Sequence, residues 1–398
     1  MKAIQEPYIR GYNMYSPTRT IFGCGAIKEL HKQKMPGRKA LVVISNGKTA
    51  YVSGGLELLK EELAQAGVEY AVYDKVQQNP TNHNVDDGVA AAKENGVDFI
   101  IGIGGGSVMD CAKGISLMFF QKHDYWYYVD HINEIEHKWL PVITITTDAG
   151  TGSESDPFIC VTNEEEHVKV GLPNTKFIGT FPVIAIVDPE LARTVPADYT
   201  AYQGFDALFH SVEAYISKQA NYMSDMYALR AVEAVSRNLE AAVKDGNNIA
   251  AREMISLGNN LSSVVMFAGG TTSQHSLEHA MSAYHNELPH GAGLLMICRA
   301  YYRKLISKQV LNERFIELAR AMGKRDASAP EDFVAELDKL MHICGVDELK
   351  MSDYGISPDE FEKYINNART TSIGYLFNSD SVILSDEDCM DIYRESYK

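Results

Sequence analysis

The sequence predicts a two-domain protein in which an α/β domain with a parallel sheet is followed by an all-helical domain. In the first half of the chain, short apolar runs rich in β-branched residues alternate with segments of helical periodicity, which is typical of a parallel sheet covered by helices on both faces. This alternation stops near Pro189 and Pro196, and helical patterns occupy the remainder. We therefore expect an α/β domain over residues 1–190 and an all-helical domain over residues 191–398.

Composition and charge are those of a globular protein with a large core. The chain has 398 residues, of which 45% are hydrophobic and 23% charged, and its net charge of −16 argues against nucleic acid or an anionic membrane as a partner. No apolar run approaches the roughly 18 residues of a membrane span, and the N-terminus lacks the apolar core of a signal peptide. The six cysteines show no CxxC spacing, so we expect reduced thiols and a cytoplasmic protein.

Each predicted strand of the first domain is a short apolar run. The runs are KALVVIS (39–45), VEYAVYD (68–74), VDFIIGIG (97–104), PVITIT (141–146) and VIAIVD (183–188). Between them, GLELLKEELAQAG has leucines at helical spacing and ends at a glycine, and NVDDGVAAAKENG is a second helical segment. VDFIIGIG is apolar throughout, as a strand buried on both faces should be.

Seven helical segments are predicted for the second domain, where β-branched alternation is almost absent. They cover residues 200–216, 225–246, 248–268, 276–284, 300–322, 330–343 and 357–368. The domain is therefore expected to be built from packed helices alone.

Two turns of small residues follow strands of the first domain. Gly104–Ser107 (GGGS) joins a buried strand to a helix, and TITTDAGTGSES (144–155) follows a later strand. Glycines let backbone N–H groups approach a ligand, and a helix N-terminus favours a diphosphate. A GGGS turn alone is more often a simple connection, and it does not match GxGxxG. Two such turns at neighbouring strand ends favour a dinucleotide site.

A short segment of the second domain is rich in histidine. It holds four of the chain's twelve histidines, namely His275, His279, His285 and His290. His275 and His279 are four residues apart, and upstream Asp206 and His210 have the same spacing, so each pair shares one face of a helix. Two such pairs are what a divalent metal site between packed helices requires.

Six stretches of the chain share their order and spacing with one enzyme family. They are YNMYSPTRTIFGCGAIKEL, GGGSVMDCAK, TTDAGTGSE, VIAIVDPELARTVP, GFDALFHSVEAY and the histidine-rich segment. Along nearly its whole length the chain resembles the iron-dependent (group III) alcohol dehydrogenases. The resemblance implies an N-terminal dinucleotide-binding α/β domain, a C-terminal all-helical metal-binding domain, and an active site in the cleft between them.

The resemblance also implies which residues form the metal site. The four implied ligands are Asp206, His210, His275 and His290. The last two are one residue further apart than is usual in the family, so we expect a longer loop within SAYHNELPHG, and His285 is the alternative fourth ligand. His279 matches a family histidine that does not bind the metal but lies near the substrate, and we expect it to relay a proton. A histidine satisfied by a neighbour is the alternative for His279.

The implied ligand set has chemical consequences. Three neutral imidazoles and one carboxylate would leave a divalent cation with a charge of about +1, enough to act as a Lewis acid on an alcohol or carbonyl oxygen. Imidazole suits both Fe²⁺ and Zn²⁺. The resemblance favours Fe²⁺, with Zn²⁺ as the alternative.

The expected coenzyme contacts come mainly from the two turns. The residues there are Gly104, Gly105, Gly106, Ser107, Asp110, Thr147 and Asp148. By the resemblance, Lys169 reaches the cofactor and Leu191 packs near the nicotinamide or its ribose. A solvated surface lysine is the alternative for Lys169.

The segment after the first predicted strand should select between NAD and NADP. Ser45, Asn46 and Gly47 are expected to adjoin the adenosine ribose, and no carboxylate is present among them. Gly47 and Lys48 leave room and a cation for a 2′-phosphate. We therefore predict a preference for NADP(H), with NAD(H) as the alternative.

The resemblance implies a metal-dependent NAD(P)H oxidoreductase that interconverts small primary alcohols or diols and aldehydes, in a homodimer or larger homo-oligomer. Dehydroquinate synthase has the same plan but needs a cluster of Lys and Arg that the ligand-bearing segments lack. Glycerol dehydrogenase-like enzymes use a smaller ligand set with zinc. A nucleotide-binding module without turnover is a third alternative, and retention of all four ligand positions argues against it.

Overall fold

The structure, a computed structural model, describes residues 11–12, 14–172 and 180–398. These residues form two compact units. One comprises Ser16–Pro196 with Asp245–Ser256, and the other comprises Ala197–Lys244 and Leu257–Lys398 with the described residues before Ser16. Among the described residues, no helix combines the length and the hydropathy needed to cross a membrane.

The first unit contains a six-stranded parallel sheet and a two-stranded antiparallel sheet. Its strands are β1 (Arg19–Phe22), β2 (Lys39–Ser45), β3 (Glu69–Val76), β4 (Phe99–Gly104), β5 (Val142–Thr146), β6 (Ile159–Asn163), β7 (Val168–Leu172) and β8 (Ile184–Val187). The parallel sheet has the order β1-β8-β5-β4-β2-β3, and β6 pairs with β7. The five predicted strands are confirmed as β2, β3, β4, β5 and β8, whereas β1, β6 and β7 were not predicted.

Helices cover both faces of the parallel sheet. They are α1 (Thr49–Val52), α2 (Gly55–Ala66), α3 (Asn82–Asn95), α4 (Gly106–Met118) and α5 (Tyr127–Asp130). Ile100 of β4 joins a buried cluster with Ile115 of α4, whereas its neighbour Ile101 joins a second cluster with Leu59 of α2. Alternate residues of a strand face opposite sides, so β4 is buried on both, as its apolar sequence predicted.

The chain after Pro196 is helical. Its helices are α6 (Ala197–Ile216), α7 (Tyr222–Ser236), α8 (Leu239–Lys244), α9 (Ile249–Gly269), α10 (Ser273–Tyr284), α11 (His290–Ser307), α12 (Asn312–Met322), α13 (Glu331–Ile343), α14 (Phe361–Thr370) and α15 (Asp386–Ser396). The predicted α/β and all-helical architecture is therefore confirmed, although α15 was not predicted.

The helical segments differ from the prediction at three points. The segment 225–246 contains two helices, α7 and α8, and not one. The segment 300–322 is not one helix, because Gln309 adopts a left-handed φ of 57° and separates α11 from α12. In addition, α11 starts ten residues earlier than predicted, at His290. Its first turn, HGAG, lacks the apolar periodicity that reveals a helix, and Pro289 precedes it as the N-cap.

Candidate functional site

Helix α6 carries three buried polar side chains on one face. Asp206, His210 and Glu213 are separated by four and three residues, so they lie along one stripe of the helix. They are 3%, 5% and 0% exposed. Burial of carboxylates is costly unless they are paired or coordinate a cation, so this stripe requires partners.

Two further helices bring imidazoles to this stripe. Helix α10 carries His275, and α11 begins at His290. The first turn of α11 packs so closely on α6 that a Cβ atom on Gly291 would lie 2.2 Å from the carbonyl oxygen of Tyr202. Glycine at this position therefore allows the approach that brings His290 to Asp206.

Three imidazoles surround one carboxylate oxygen. Asp206 Oδ1 lies 3.6 Å from the Nε2 atoms of His210 and His275. The same oxygen lies 3.5 Å from His290 Nε2. Asp206, His275 and His290 each offer one ligand atom within 4.8 Å of the others, a triplet that does not include His210. The structure thus places the three implied imidazole ligands around Asp206 Oδ1, and those of His275 and His290 also lie close to each other.

This arrangement has the spacing of a metal site and not of a hydrogen-bond network. The separations exceed hydrogen-bond lengths, and Asp206 Oδ1 and His275 Nε2 are buried without a hydrogen-bond partner among the described residues. Donor atoms about 2.1 Å from a tetrahedrally coordinated ion stand roughly 3.4 Å apart. The residues present therefore fit a divalent cation in both donor type and spacing.

Two buried glutamates orient two of the imidazoles. His275 Nδ1 lies 2.6 Å from Glu213 Oε1, and His290 Nδ1 is hydrogen-bonded to Glu278 Oε2. Both glutamates are 0% exposed. A carboxylate on Nδ1 fixes the proton there, directs the lone pair of Nε2 toward a cation and raises the basicity of the ring.

Neither glutamate was identified from the sequence. Glu213 follows His210 by three residues, and Glu278 follows His275 by three, so a shared helix face was the available signal. Their presence changes the expected electrostatics. The charge of about +1 counts only direct ligands, whereas Asp206, Glu213 and Glu278 together with a divalent cation carry a formal charge of −1.

The titration behaviour of the site follows from this charge arrangement. Burial alone would raise the pKa of Asp206, but His210, His290 and His275 hold that pKa well below its usual range. Burial alone would lower the pKa of His275, but the carboxylates of Glu213 and Asp206 raise it to about 10. Without a cation, the imidazolium of His275 therefore compensates part of the charge of the buried carboxylates, and a bound cation would take over that role.

The remaining two histidines of the segment differ in their surroundings. The ring centroid of His279 is 5.1 Å from that of His290 and 6.3 Å from that of His275. His285 Nε2 instead lies 2.7 Å from the hydroxyl of Tyr364 and 3.2 Å from Glu360. His285, the alternative fourth ligand, is therefore engaged by these two residues, and His279 lies beside the imidazole cluster.

In the first unit, the two turns predicted to bind a coenzyme are in direct contact. The backbone N–H of Thr147 donates to the carbonyl oxygen of Gly104, at 3.0 Å. A Cβ atom on Gly105 would lie 2.3 Å from Asp148 Oδ2, and one on Gly106 would lie 2.5 Å from a methyl carbon of the Thr151 side chain. The glycines are thus required by the packing of the turns, and Gly106 begins α4, next to Ser107.

Of three other predicted coenzyme residues, Lys169 and Leu191 are buried and Asp110 is partly buried. Both carboxylate oxygens of Asp110 are engaged within the protein, one by the Ser153 hydroxyl and the other by the Cys160 N–H at 2.9 Å. Lys169 is 5% exposed and donates to Asn79 Oδ1 at 3.1 Å, so it is not a solvated surface lysine. Leu191 is 2% exposed and belongs to an apolar cluster.

The predicted adenosine-side segment lies at the end of β2. Ser45 is its last residue, and the Asn46 N–H donates to Val76 O at 2.8 Å. Asn46, Gly47 and Lys48 are exposed. These residues are thus available to a ligand at the carboxyl edge of the sheet.

Comparisons with known proteins point to one family across both parts of the chain. A family model described as iron-containing alcohol dehydrogenase matches residues 17–189, and a model of the C-terminal region of the same family matches residues 200–397. The chain is 31% identical over 360 residues to 1,3-propanediol dehydrogenase of Klebsiella pneumoniae, covering 88% of this chain and 91% of that protein.

Two further comparisons agree. NAD-dependent methanol dehydrogenase of Bacillus methanolicus is 30% identical over 369 residues, covering 89% of this chain and 93% of that protein. The crystal structure of an archaeal halo-thermophilic alcohol dehydrogenase from a Red Sea brine pool superposes with a TM-score of 0.89 at 28% identity, covering 98% of this chain and 100% of that one.

Proposed function

The chain belongs to the iron-containing alcohol dehydrogenase family, and from this premise we propose that it interconverts small primary alcohols or diols and the matching aldehydes by hydride exchange with a nicotinamide coenzyme. The enzyme class, alcohol–aldehyde oxidoreduction, follows from the family. The metal ligands, the proton relay, the coenzyme preference and the assembly are proposals that depend on the residues described above.

The single observation that supports the proposal is the convergence of three imidazoles on Asp206 Oδ1, at 3.5–3.6 Å. The proposed ligands are Asp206, His210, His275 and His290. Fe²⁺ held by them, or Zn²⁺ as the alternative, would supply Lewis acidity to the substrate oxygen. Glu213 and Glu278 hold the ligand rings in the orientation that directs Nε2 toward the cation.

We assign His279 the role of moving a proton between the substrate hydroxyl and solvent. It is 5% exposed and its ring is next to that of His290, and imidazole is the side chain best suited to proton transfer near neutral pH. Its position beside the proposed ligands supports this assignment, and it also belongs to a second group of possible ligand atoms, with Glu278 and His290.

For the coenzyme, we propose that the backbone of Gly104–Ser107 and the turn at Thr147 and Asp148 hold the diphosphate, since backbone N–H groups at the start of α4 favour an anion. Asp110, Lys169 and Leu191 belong to the same proposed site. The absence of a carboxylate among Ser45, Asn46 and Gly47 supports a preference for NADP(H). NAD(H) is the alternative, in keeping with the name of the methanol-oxidising relative.

The experiment that tests the function is a screen of aldehydes of increasing chain length. Metal-free enzyme is assayed with NADPH and NADH in parallel, before and after addition of Fe²⁺ or Zn²⁺. We expect reduction that depends on added metal and a higher kcat/KM with NADPH. Turnover unaffected by metal removal contradicts the metal assignment, and a kcat/KM for NADH equal to or above that for NADPH contradicts the coenzyme assignment.

We also propose that the enzyme works in the cytoplasm as a homodimer or larger homo-oligomer. All six cysteines are free thiols, as a reducing compartment requires. The assembly is tested by light scattering of the purified protein, for which a mass of 44.2 kDa would mean a monomer and would contradict the proposal.

A further inference from the structure

Helix α4 contains a lysine that is completely buried. Lys113 is 0% exposed, seven residues after the first residue of the helix. Its Nζ donates to Asp156 Oδ1 at 2.9 Å, to Ser153 O at 3.1 Å and to Asp156 O at 3.4 Å. An ammonium has three N–H donors, so each has an acceptor, which is the condition under which a buried charge is tolerated.

The acceptors belong to Ser153, near the end of the second small-residue turn, and to Asp156, which follows that turn directly. Asp110, one helical turn before Lys113, engages the same segment through the Ser153 hydroxyl. Its second oxygen accepts from the Cys160 N–H, at the start of β6. One face of α4 thus holds the segment 153–160 through a positively charged side chain, Lys113, and a negatively charged one, Asp110.

The N-terminal end of the second small-residue turn is held by the first small-residue turn, Gly104–Ser107. Thr147 donates to Gly104 O, and between these two anchors Asp148 lies against Gly105. The stretch from Thr147 to Asp156 is therefore fastened at both ends, with the glycine-rich turn beneath it. Its shape depends on Lys113 at one end and on the contact with the glycines at the other.

We propose that Lys113 is a positioning residue for the coenzyme: by binding the 153–156 segment to α4, it keeps the second turn in the form that receives the diphosphate. This inference rests on the proposed coenzyme site. Lys113 is buried, so it acts through the turn and not by touching the ligand. Misplacement of a positioned group by about 1 Å is enough to lower the rate of an enzyme by up to roughly 100-fold.

A purely structural role for Lys113 makes a different prediction. Loss of general stability would lower the melting temperature, the metal content and the fraction of active enzyme together. Loss of positioning would raise the dissociation constant for the coenzyme and the KM for it, whereas kcat at saturating coenzyme and the metal content, which depend on the other unit's residues, would stay unchanged. A change in coenzyme binding without a change in kcat or metal content therefore distinguishes positioning from a purely structural role.

The test compares the variant Lys113→Met with Lys122→Met, which removes a lysine whose side chain is 78% exposed. Coenzyme binding to metal-loaded enzyme is measured by fluorescence titration with NADPH and with NADH, alongside metal content and steady-state kinetics. We expect the dissociation constant to rise at least about tenfold in Lys113→Met and to stay unchanged in Lys122→Met. Should Lys113→Met not fold, Lys113→Met/Asp156→Asn removes the charges of both members of the buried pair, which proteins tolerate better than removal of one. Asp110, 3.5 Å from Lys113 Nζ, keeps its hydrogen bonds from Ser153 and Cys160, and the same rise is expected.

Two negative outcomes are separable. If the parent enzyme binds neither NADPH nor NADH, the proposed function fails, whatever the variants do. If the parent enzyme binds coenzyme and the folded Lys113 variant binds it equally well, or loses kcat and metal in proportion to coenzyme binding, the positioning role of Lys113 is wrong while the proposed function stands.

Discussion

Glu213 accepts the Nδ1 proton of His275 at 2.6 Å, and Nε2 of the same ring faces Asp206 at 3.6 Å. The same carboxylate accepts hydrogen bonds from the N–H and the hydroxyl of Thr272, at 2.6 and 2.8 Å. Thr272 is the N-cap residue of α10, and its own side chain makes no capping bond. One buried glutamate thus fixes both the orientation of His275 and the start of the helix that carries it.

Replacement of Glu213 should therefore weaken metal binding without removing a ligand. Glu213 accepts from His275 with one oxygen and from Thr272 with the other. In Glu213→Gln one of these oxygens becomes an NH2 donor that must face a donor, so His275 and Thr272 can no longer both be held. We expect the metal affinity to fall by roughly 10- to 100-fold, measured by competition with a chelator. The control is Glu240→Gln, a half-exposed glutamate on α8 that pairs only with Lys244 among the ion pairs of the described residues. Equal metal affinity in Glu213→Gln and the parent protein would contradict the positioning role.

Replacement of His279 should separate turnover from metal binding. His279→Ala is expected to keep its full metal content while kcat falls by roughly 10²- to 10⁴-fold, the usual contribution of general acid–base catalysis. The matched control is His285→Ala, because His285 is bound to Tyr364 and Glu360. A kcat and a pH profile in His279→Ala that equal those of the parent enzyme would remove the proton relay.

A methyl group at Gly105 should damage coenzyme binding alone. In Gly105→Ala the new Cβ would meet Asp148 Oδ2 at 2.3 Å, so the second turn must move. We expect the KM for the coenzyme to rise at least about tenfold with unchanged metal content. Gly11→Ala is the control, since a Cβ there meets no atom of the described residues within 4 Å. A KM that does not change would show that the two turns do not form the diphosphate site.

The stability of the protein should carry a pH dependence from Asp380. Burial, together with the nearby Glu213 carboxylate, raises the pKa of Asp380 to about 7, whereas an unfolded aspartate has a pKa of about 3.9. Its neutral form is favoured in the folded state, so its contribution to stability is complete below about pH 4 and is lost as the pH rises to about 7.

Asp380→Asn keeps an oxygen to accept the Ser273 N–H, which lies 2.9 Å from Asp380 Oδ1, but cannot ionise. The free energy of unfolding of metal-free Asp380→Asn, relative to that of the metal-free parent, should therefore increase between about pH 4 and pH 7 and then level off. Denaturant unfolding at a series of pH values measures this difference. A difference that is constant with pH would contradict the raised pKa.

Strands and long helices were predictable because local pattern determines them. The run VDFIIGIG identified β4, and the leucines of α2 identified its buried face. The placement of Asp206 and His210 on one helix face was equally visible, because it follows from their spacing alone. In these places sequence pattern and tertiary packing agree.

The parts that could not be predicted depend on contacts between distant segments. Glu278 and His290 are twelve residues apart, and their hydrogen bond forms only because α11 packs back on α10. β1 pairs with β8, more than 160 residues away, and Arg19–Phe22 is too short to show an alternation. The hydrogen bond from the Cys160 N–H to Asp110 likewise depends on the β6–β7 hairpin. No periodicity in the sequence predicted that hairpin.

The most direct test of the account is the metal content of Asp206→Asn, with His275→Ala as a second variant, measured together with alcohol oxidation. Asp206 is the common neighbour of all three imidazoles, so we expect both variants to lose bound iron and to lose activity by at least about 100-fold, while circular dichroism stays that of the folded parent. Variants that fold, bind iron as the parent does and oxidise alcohols at its rate would contradict the proposed centre.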